Sequence, residues 1–338
     1  DRGMLLQLAG DYQQSNAVLE QAEEELDRLY TRKIRTEALA FMTNDTALAY
    51  EGDPYEQVLV NVLKALNYTA LGQWQDALVE ARRIDHRLNV LSDRIQEKGA
   101  YREDGFARYL SGILYESTGD VNNAFIAYRK AYETFDTTRA WSHTAVPSQL
   151  REDLLRTAEA LHFTQELAEY QRLFPETKWE TSQSLQQLAQ VVVISYNGRA
   201  PRKEDQFLDL PISLDALQLV LLNRGLSQAN RQSNRGVDTV LYGLNGHVVR
   251  VALPRLAPQK TQVPVDRVSL IPDNGTRVTV NTELVHNVTA LAEKALSERM
   301  TGITVKALAR AATKFALAEG AMRGAQQAAG KDAGPWVG

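Results

Sequence analysis

Gly112-Ile-Leu-Tyr-Glu-Ser-Thr-Gly-Asp-Val-Asn-Asn-Ala-Phe-Ile-Ala-Tyr-Arg-Lys-Ala131 is two apolar-periodic runs hinged on Gly119. Small and large apolar residues recur on either side of that glycine at helical spacing. The same arrangement surrounds Gly10 and Gly72. With each glycine taken as zero, position minus seven holds Gly3, Ala65 and Gly112, and position minus four holds Leu6, Tyr68 and Tyr115. Position plus two holds Tyr12, Trp74 and Val121, and plus five holds Ser15, Ala77 and Ala124. Plus nine holds Leu19, Ala81 and Tyr128, and plus twelve holds Ala22, Ile84 and Ala131. Small residues at minus seven and plus five suit a close crossing of two antiparallel helices. Larger ones at minus four, plus two and plus nine are expected to fill the groove between them. A glycine at zero ends the first helix, because a left-handed backbone costs it little.

This is the spacing of the tetratricopeptide helix-turn-helix, whose units bury their apolar faces only by stacking. Gly72 and Gly119 stand 47 residues apart, against about 34 in regular arrays. The excess is expected to lengthen the helix that follows Trp74, through Ala81, Ile84, Leu88 and Leu91 toward Ile95. A last, degenerate pair is expected from Pro147 to Pro175, with a loop from Thr137 to Val146 before it. Gln21 to Leu29 reads as a charged face carrying Glu23, Glu24 and Glu25.

After Trp179 the pattern changes. Gln190-Val-Val-Val-Ile-Ser-Tyr196 is β-branched and reads as a strand, followed by Asn197-Gly198 and a second strand from Gln206 to Ile212. Val237–Leu244 faces His247–Leu253 across Asn245-Gly246, and Thr261–Ile271 faces Thr276–Val280 across Pro272-Asp-Asn-Gly275. Asn-Gly supplies the positive φ angles of tight hairpins. Leu214–Leu226 alternates like an inserted helix. Helix returns from Thr282, with Leu284, Val288, Leu291 and Ala295 on one face and a break at Gly302. An alanine-rich helix is expected from about Thr304 to Ala328. The expected fold is therefore α+β. An N-terminal tetratricopeptide-like α-solenoid (1–178) precedes a small antiparallel β domain with one inserted helix (179–281) and a C-terminal helical pair (282–338).

Composition narrows function by exclusion. The 338 residues carry a net charge of −4, which gives no general attraction to nucleic acid, and contain no cysteine, which excludes disulfides and thiolate metal sites. No run reaches the length of a membrane span. The opening helix of the first repeat is expected to begin ahead of Asp1, so the chain reads as a portion of a longer one, and its C-terminal Ala-Gly-Pro-Trp-Val-Gly338 reads as a cut or a loop. No nucleophile elbow, phosphate loop, dinucleotide fingerprint or His-Glu-x-x-His stands in the sequence. The five histidines (His86, His143, His162, His247, His286) are never at ligand spacing on one helix, so neither a metal nor a cofactor is expected.

Three sets of residues could carry binding. Tyr68, Trp74, Tyr115 and Tyr128 are packing residues by register whose outer edges could reach a ligand groove. Arg82 and Arg83, on the helix after Trp74, could face a partner or simply be solvated. Arg199, Arg202 and Lys203 could contact phosphate or carboxylate groups of an envelope polymer or lipid, or form a solvated turn. In the last helix Ala312, Ala316, Gly320, Gly324 and Ala328 form a stripe of small residues. Such a stripe allows close helix packing, against this chain's own elements or against another subunit or membrane surface.

Tyr109-Leu-Ser-Gly-Ile-Leu-Tyr-Glu116, Asn123-Ala-Phe-Ile-Ala-Tyr-Arg-Lys-Ala131, Val193-Ile-Ser-Tyr-Asn-Gly-Arg-Ala-Pro-Arg-Lys203, Val251-Ala-Leu-Pro254 and Arg310-Ala-Ala-Thr-Lys314 together resemble a family of bacterial envelope lipoproteins with tetratricopeptide-like N-terminal regions. The resemblance spans most of residues 1 to 315. It implies a signal peptide and lipidated cysteine upstream of Asp1, and outer-membrane attachment facing the periplasm. Genes of that family often neighbour those of lipoprotein activators of peptidoglycan synthases. Family members usually continue into a segment resembling Asp-x-Arg-Ser-Trp, which this sequence lacks. The expected function is a non-enzymatic periplasmic scaffold that binds other cell-envelope proteins. The alternatives are a subunit of a homo-oligomeric envelope assembly and, last, an enzyme acting on envelope polymers through dispersed carboxylates.

Overall fold

The computed structural model describes residues 1–40, 52–94, 103–185, 187–188, 190–211, 248–259, 265–271, 275 and 277–307. The N-terminal region is mostly helical and built of paired antiparallel helices: α1 (Arg2–Leu8) with α2 (Tyr12–Ala40), α3 (Pro54–Ala70) with α4 (Trp74–Arg94), α5 (Gly105–Ser117) with α6 (Val121–Ser142), and α7 (Ser148–Ala160) with α8 (Thr164–Leu173). A short α9 (Ser182–Leu185) follows. Then come strands β1 (Arg202–Pro211), β2 (Val248–Ala257), β3 (Arg267–Leu270) and β4 (Val278–Asn281). A last described helix, α10, covers 288 to 307.

The turn inside each helix pair is the same device used four times. Gly10, Gly72 and Gly119 have φ of 82°, 72° and 84°. Each donates its N–H to the carbonyl three residues back, and the next residue donates to the carbonyl five back, as Gln73 does to Tyr68 at 2.8 Å and Asp120 to Tyr115 at 2.9 Å. These bonds satisfy carbonyls that a helix end otherwise leaves orphaned. The fourth copy uses His162, at φ 58°, with Phe163 donating to Ala158 at 2.9 Å. No glycine marks this turn in the sequence. Aspartates begin the following pairs: Asp104 accepts from the Ala107 amide at 2.9 Å, and Asp53, with Pro54 after it, forms a reciprocal cap with Glu56.

The minus-seven and plus-nine positions pack on each other. A side chain at Gly3 would meet Leu19 Cγ at 2.6 Å, and one at Gly112 would run into the Tyr128 ring. Where plus nine is only Ala81, minus seven can be Ala65, and both are fully buried. The plus-five residues Ser15, Ala77 and Ala124 are likewise fully buried. Plus two is not a core position: Trp74 is 44% exposed.

Several expectations give way to the structure. The stretch Thr137–Ser142 is helix, not loop. The Thr137 and Thr138 hydroxyls bond back to the carbonyls of Glu133 and Thr134, both at 2.7 Å, and α6 stops only where His143 turns left-handed at φ 56°. Gly302 does not break the last helix, and that helix starts at 288, not Thr282. Asn287 caps it, accepting from the Ala290 amide at 3.2 Å. Residues 190–196 form no strand; Val191, Val192 and Val193 are about half exposed. β-Branched content marks residues that suit a pleated, half-buried surface and needs a partner to become a strand. Gly198 has φ 85°, but its flanks do not pair, so Asn197-Gly198 makes no two-residue hairpin.

Contacts divide the chain into two compact units that do not follow sequence order. One takes Asp1–Glu37, Asp45–Pro201 and Pro258–Leu296; the other takes Ala38–Asn44, Arg202–Ala257 and Ser297–Gly338. In the second, β1 and β2 form an antiparallel ladder from Arg202↔Ala257 to Pro211↔Val248. Thus the expected partner of β2, Val237–Leu244, is not the strand seen on it; that segment, Leu214–Leu226 and Asn245-Gly246 lie outside the described residues. In the first unit, β3 and β4 pair from Arg267↔Asn281 to Leu270↔Val278, as the reading of that hairpin expects. The whole is mixed α+β.

Candidate functional site

An open groove of about 510 Å³ lies on the α2, α3 and α4 face of the helical region. Two helices supply its walls with the same spacing. From α2 come Gln13, Asn16, Ala17 and Glu20; from α4 come Asp76, Val79, Glu80 and Arg83. Each set is i, i+3, i+4, i+7, one stripe of a helix. Tyr68 and Leu71, at the end of α3, close the groove between them.

Beneath it the interior is polar. The Lys64 side chain is fully buried and reaches three carboxylates: Glu20, Glu23 at 2.8 Å and Glu80 at 3.1 Å. Arg83 bonds the same three, at 3.1, 3.1 and 3.3 Å. Asn61 donates to Glu23 and Glu80, both at 2.9 Å, and Arg87 adds Glu23 at 3.2 Å. A neutral chain continues toward α1. Asn67 donates to Ser15 and Asn16, both at 2.8 Å, Gln7 donates to Asn67 at 2.8 Å, and Ser15 donates to the Gly3 carbonyl at 2.7 Å. Glu23 therefore points inward and is buried, although the sequence reads Gln21 to Leu29 simply as a charged face.

Burial alone would raise the Glu23 pKa. Hydrogen bonds from Asn61 and Lys64, with the Lys64 and Arg83 charges, outweigh it and hold Glu23 at about 2. The Lys64 hydrogen bond lowers Glu20 against a smaller effect of burial. Lys64 is raised: burial would lower it, but the bonds to Glu20 and Glu23 and the Glu80 charge prevail. Glu20, Glu23 and Lys64 therefore stay ionised at neutral pH.

Of the residues named from sequence, Tyr68 and Arg83 line the groove. Trp74 and Arg82 do not line it. Tyr115 and Tyr128 are 4% and 1% exposed and are interior packing residues, so their outer edges offer a partner almost no surface. Tyr128 donates to Glu116 at 2.7 Å, and Arg156 grips the same carboxylate at 2.8 and 2.9 Å, pinning α7 to α5 and α6. Arg199 is exposed in the first unit, while Arg202 and Lys203 open β1 in the second. Arg202 bonds Glu204 at 3.1 Å, and Arg255 bonds it at 3.3 Å from the opposite strand. Ala312, Ala316, Gly320, Gly324 and Ala328 lie outside the described residues. Gln13, Asn16, Glu20 and Asp76 went unnoticed in the sequence, though their shared i, i+3, i+4, i+7 pattern is visible there once two helices are known to face one groove.

A second polar junction fastens the segment before α10. His286 Nε2 lies 3.0 Å from Asp104 Oδ2, Asn287 donates to the Ser142 carbonyl at 2.9 Å, and the Ser148 amide donates to Glu283 at 3.0 Å. Among the described residues there is no cluster of side chains able to hold a metal ion and no helix long and apolar enough to cross a membrane. Comparison with protein-family models, with curated proteins and with solved structures gives no match.

Proposed function

We propose that this protein is a non-enzymatic interaction scaffold whose tetratricopeptide-like array binds another protein of the bacterial cell envelope through the α2–α4 groove. The observation that carries the reading is the groove itself, an open channel walled by two helical stripes of amide and charged side chains over a buried ionic floor. Such a floor holds the walls at fixed spacing, which lowers the ordering cost of binding. Glu20 and Glu23 are held ionised, which suits recognition and not proton donation, so the polymer-modifying enzyme is the weaker reading. Placement in the periplasm, attached to the outer membrane through a lipid anchor upstream, rests on the sequence resemblance alone.

The test is a photo-crosslinking residue at Gln73, on the groove, compared with one at the exposed Arg129. A discrete envelope-protein adduct at Gln73 and none at Arg129 is the expected result. Equal or absent labelling overturns the reading.

A homo-oligomeric assembly is the second reading. It is favoured by the exposed apolar side chains of Val191, Val192, Val278, Val280 and Ile271, each more than half exposed, which a second copy could cover. Native mass spectrometry separates the two: a monomer at high concentration removes the assembly.

A further inference from the structure

The groove is not electrostatically neutral. Its lining holds three carboxylates, Glu20, Asp76 and Glu80, against one guanidinium, Arg83. Beneath it Lys64 is already spent on the carboxylates it shares with Arg83. Asp76 is left over: it is exposed at the rim, one turn before Glu80, and has no ion pair or hydrogen bond among the described residues. Beside it stands the half-buried Tyr68, whose hydroxyl pKa is raised by burial and by the Glu80 and Asp76 charges. An aromatic ring with a surplus carboxylate is a receptor for a cation on an alkyl stem, through its face and through charge together.

The groove is open and walled by two helices, so an extended strand can lie in it with a side-chain cation against this acidic wall.

We infer that the groove binds an extended peptide segment of a partner protein, with a lysine or arginine side chain seated at Tyr68 and Asp76. The inference rests on the scaffold reading and adds the chemistry of the partner.

The test uses the whole chain and two fluorescein-labelled peptides, (Gly-Ser-Lys)4 and (Gly-Ser-Glu)4, titrated by fluorescence anisotropy at low and at physiological salt. The lysine peptide is expected to bind and the glutamate peptide not, with affinity falling as salt rises. Asp76→Lys, a change on an exposed carboxylate, is expected to weaken the lysine peptide about tenfold, equivalent to about 1.4 kcal/mol. Tyr68→Leu, which keeps bulk and loses the aromatic face, is expected to weaken it about threefold with the melting temperature of each variant checked. Equal binding of the two peptides, binding of neither, or an Asp76→Lys variant that binds the lysine peptide as before overturns the inference. A specific crosslink at Gln73 together with any of those results leaves the scaffold standing and removes only the cationic partner.

Discussion

The ring of Tyr128 packs on Gly112, its Cδ1 and Cε1 edge occupying the place where a β-carbon would be. Tyr128 is almost fully buried, and its hydroxyl is tied to Glu116 at 2.7 Å, so the ring cannot withdraw. The close approach in this pair is side chain on backbone, where the sequence alone suggests backbone on backbone. Gly112→Leu is therefore expected to lower stability by about 1–3 kcal/mol through overpacking, while Arg129→Ala costs about half a kcal/mol or less. Even Gly112→Ala should destabilise, although alanine favours an open helix. Equal melting temperatures for Gly112→Leu and Arg129→Ala contradict the packing.

The four left-handed turns make a paired prediction. Gly72 and Gly119 have nothing within 4 Å of an added β-carbon, so alanine there meets only backbone strain and should cost roughly 1 kcal/mol. His162 already bears that strain at φ 58°, so His162→Gly should stabilise or leave the fold unchanged. Thermal melts of the three variants read the difference directly. Destabilisation by His162→Gly means that the imidazole makes a contact worth more than the strain.

Lys64 is the cation on which three acidic side chains of two helices converge. Lys64→Met leaves their charges underneath the groove with Arg83 and Arg87 alone, and breaking such a buried ion pair is expected to cost about 3–5 kcal/mol. Chemical denaturation measures it. A loss below 1 kcal/mol would show that Arg83 and Arg87 neutralise the cluster without the lysine.

Acid should undo the same cluster within a defined window. Glu23 is held at about 2 in the fold against an ordinary 4.5. A carboxyl whose folded pKa is depressed contributes its full stability above the ordinary value and loses it as pH falls toward the folded one. Stability is thus expected to decline from about pH 4.5 to pH 2, and Glu23→Gln should flatten that decline while lowering stability at neutral pH. An unchanged slope in the variant excludes Glu23 as a source of the acid sensitivity.

Asn287 does two jobs: its Oδ1 caps α10 and its Nδ2 holds the Ser142 carbonyl at the end of α6. Asn287→Ala should cost about 0.5–2 kcal/mol for the cap. It should also raise amide exchange at Leu291 and Ala295, which are buried, before the rest of the fold responds. Uniform exchange across the chain would mean that the segment does not release on its own.

The helix pairs of the N-terminal region were legible from the sequence because each turn is a local event. Spacing around Gly10, Gly72 and Gly119 states which residues meet, since minus seven and plus nine are brought together by a two-residue turn and helical pitch alone. The hairpin of β3 and β4 was legible for the same reason. Pairings between distant segments were not. That β2 lies on β1, with partners from 37 residues apart at Pro211↔Val248 to 55 apart at Arg202↔Ala257, depends on which edges meet in three dimensions, and β propensity is silent on partners. Glu23 is the plainest case at the site. Among three consecutive glutamates nothing local distinguishes it; Lys64 and Asn61, some forty residues away, turn it inward. Sequence determined the pairs of helices, whose contacts are set by short-range geometry, while tertiary structure alone decided the groove, because a charge is buried or exposed according to the opposite charge that reaches it.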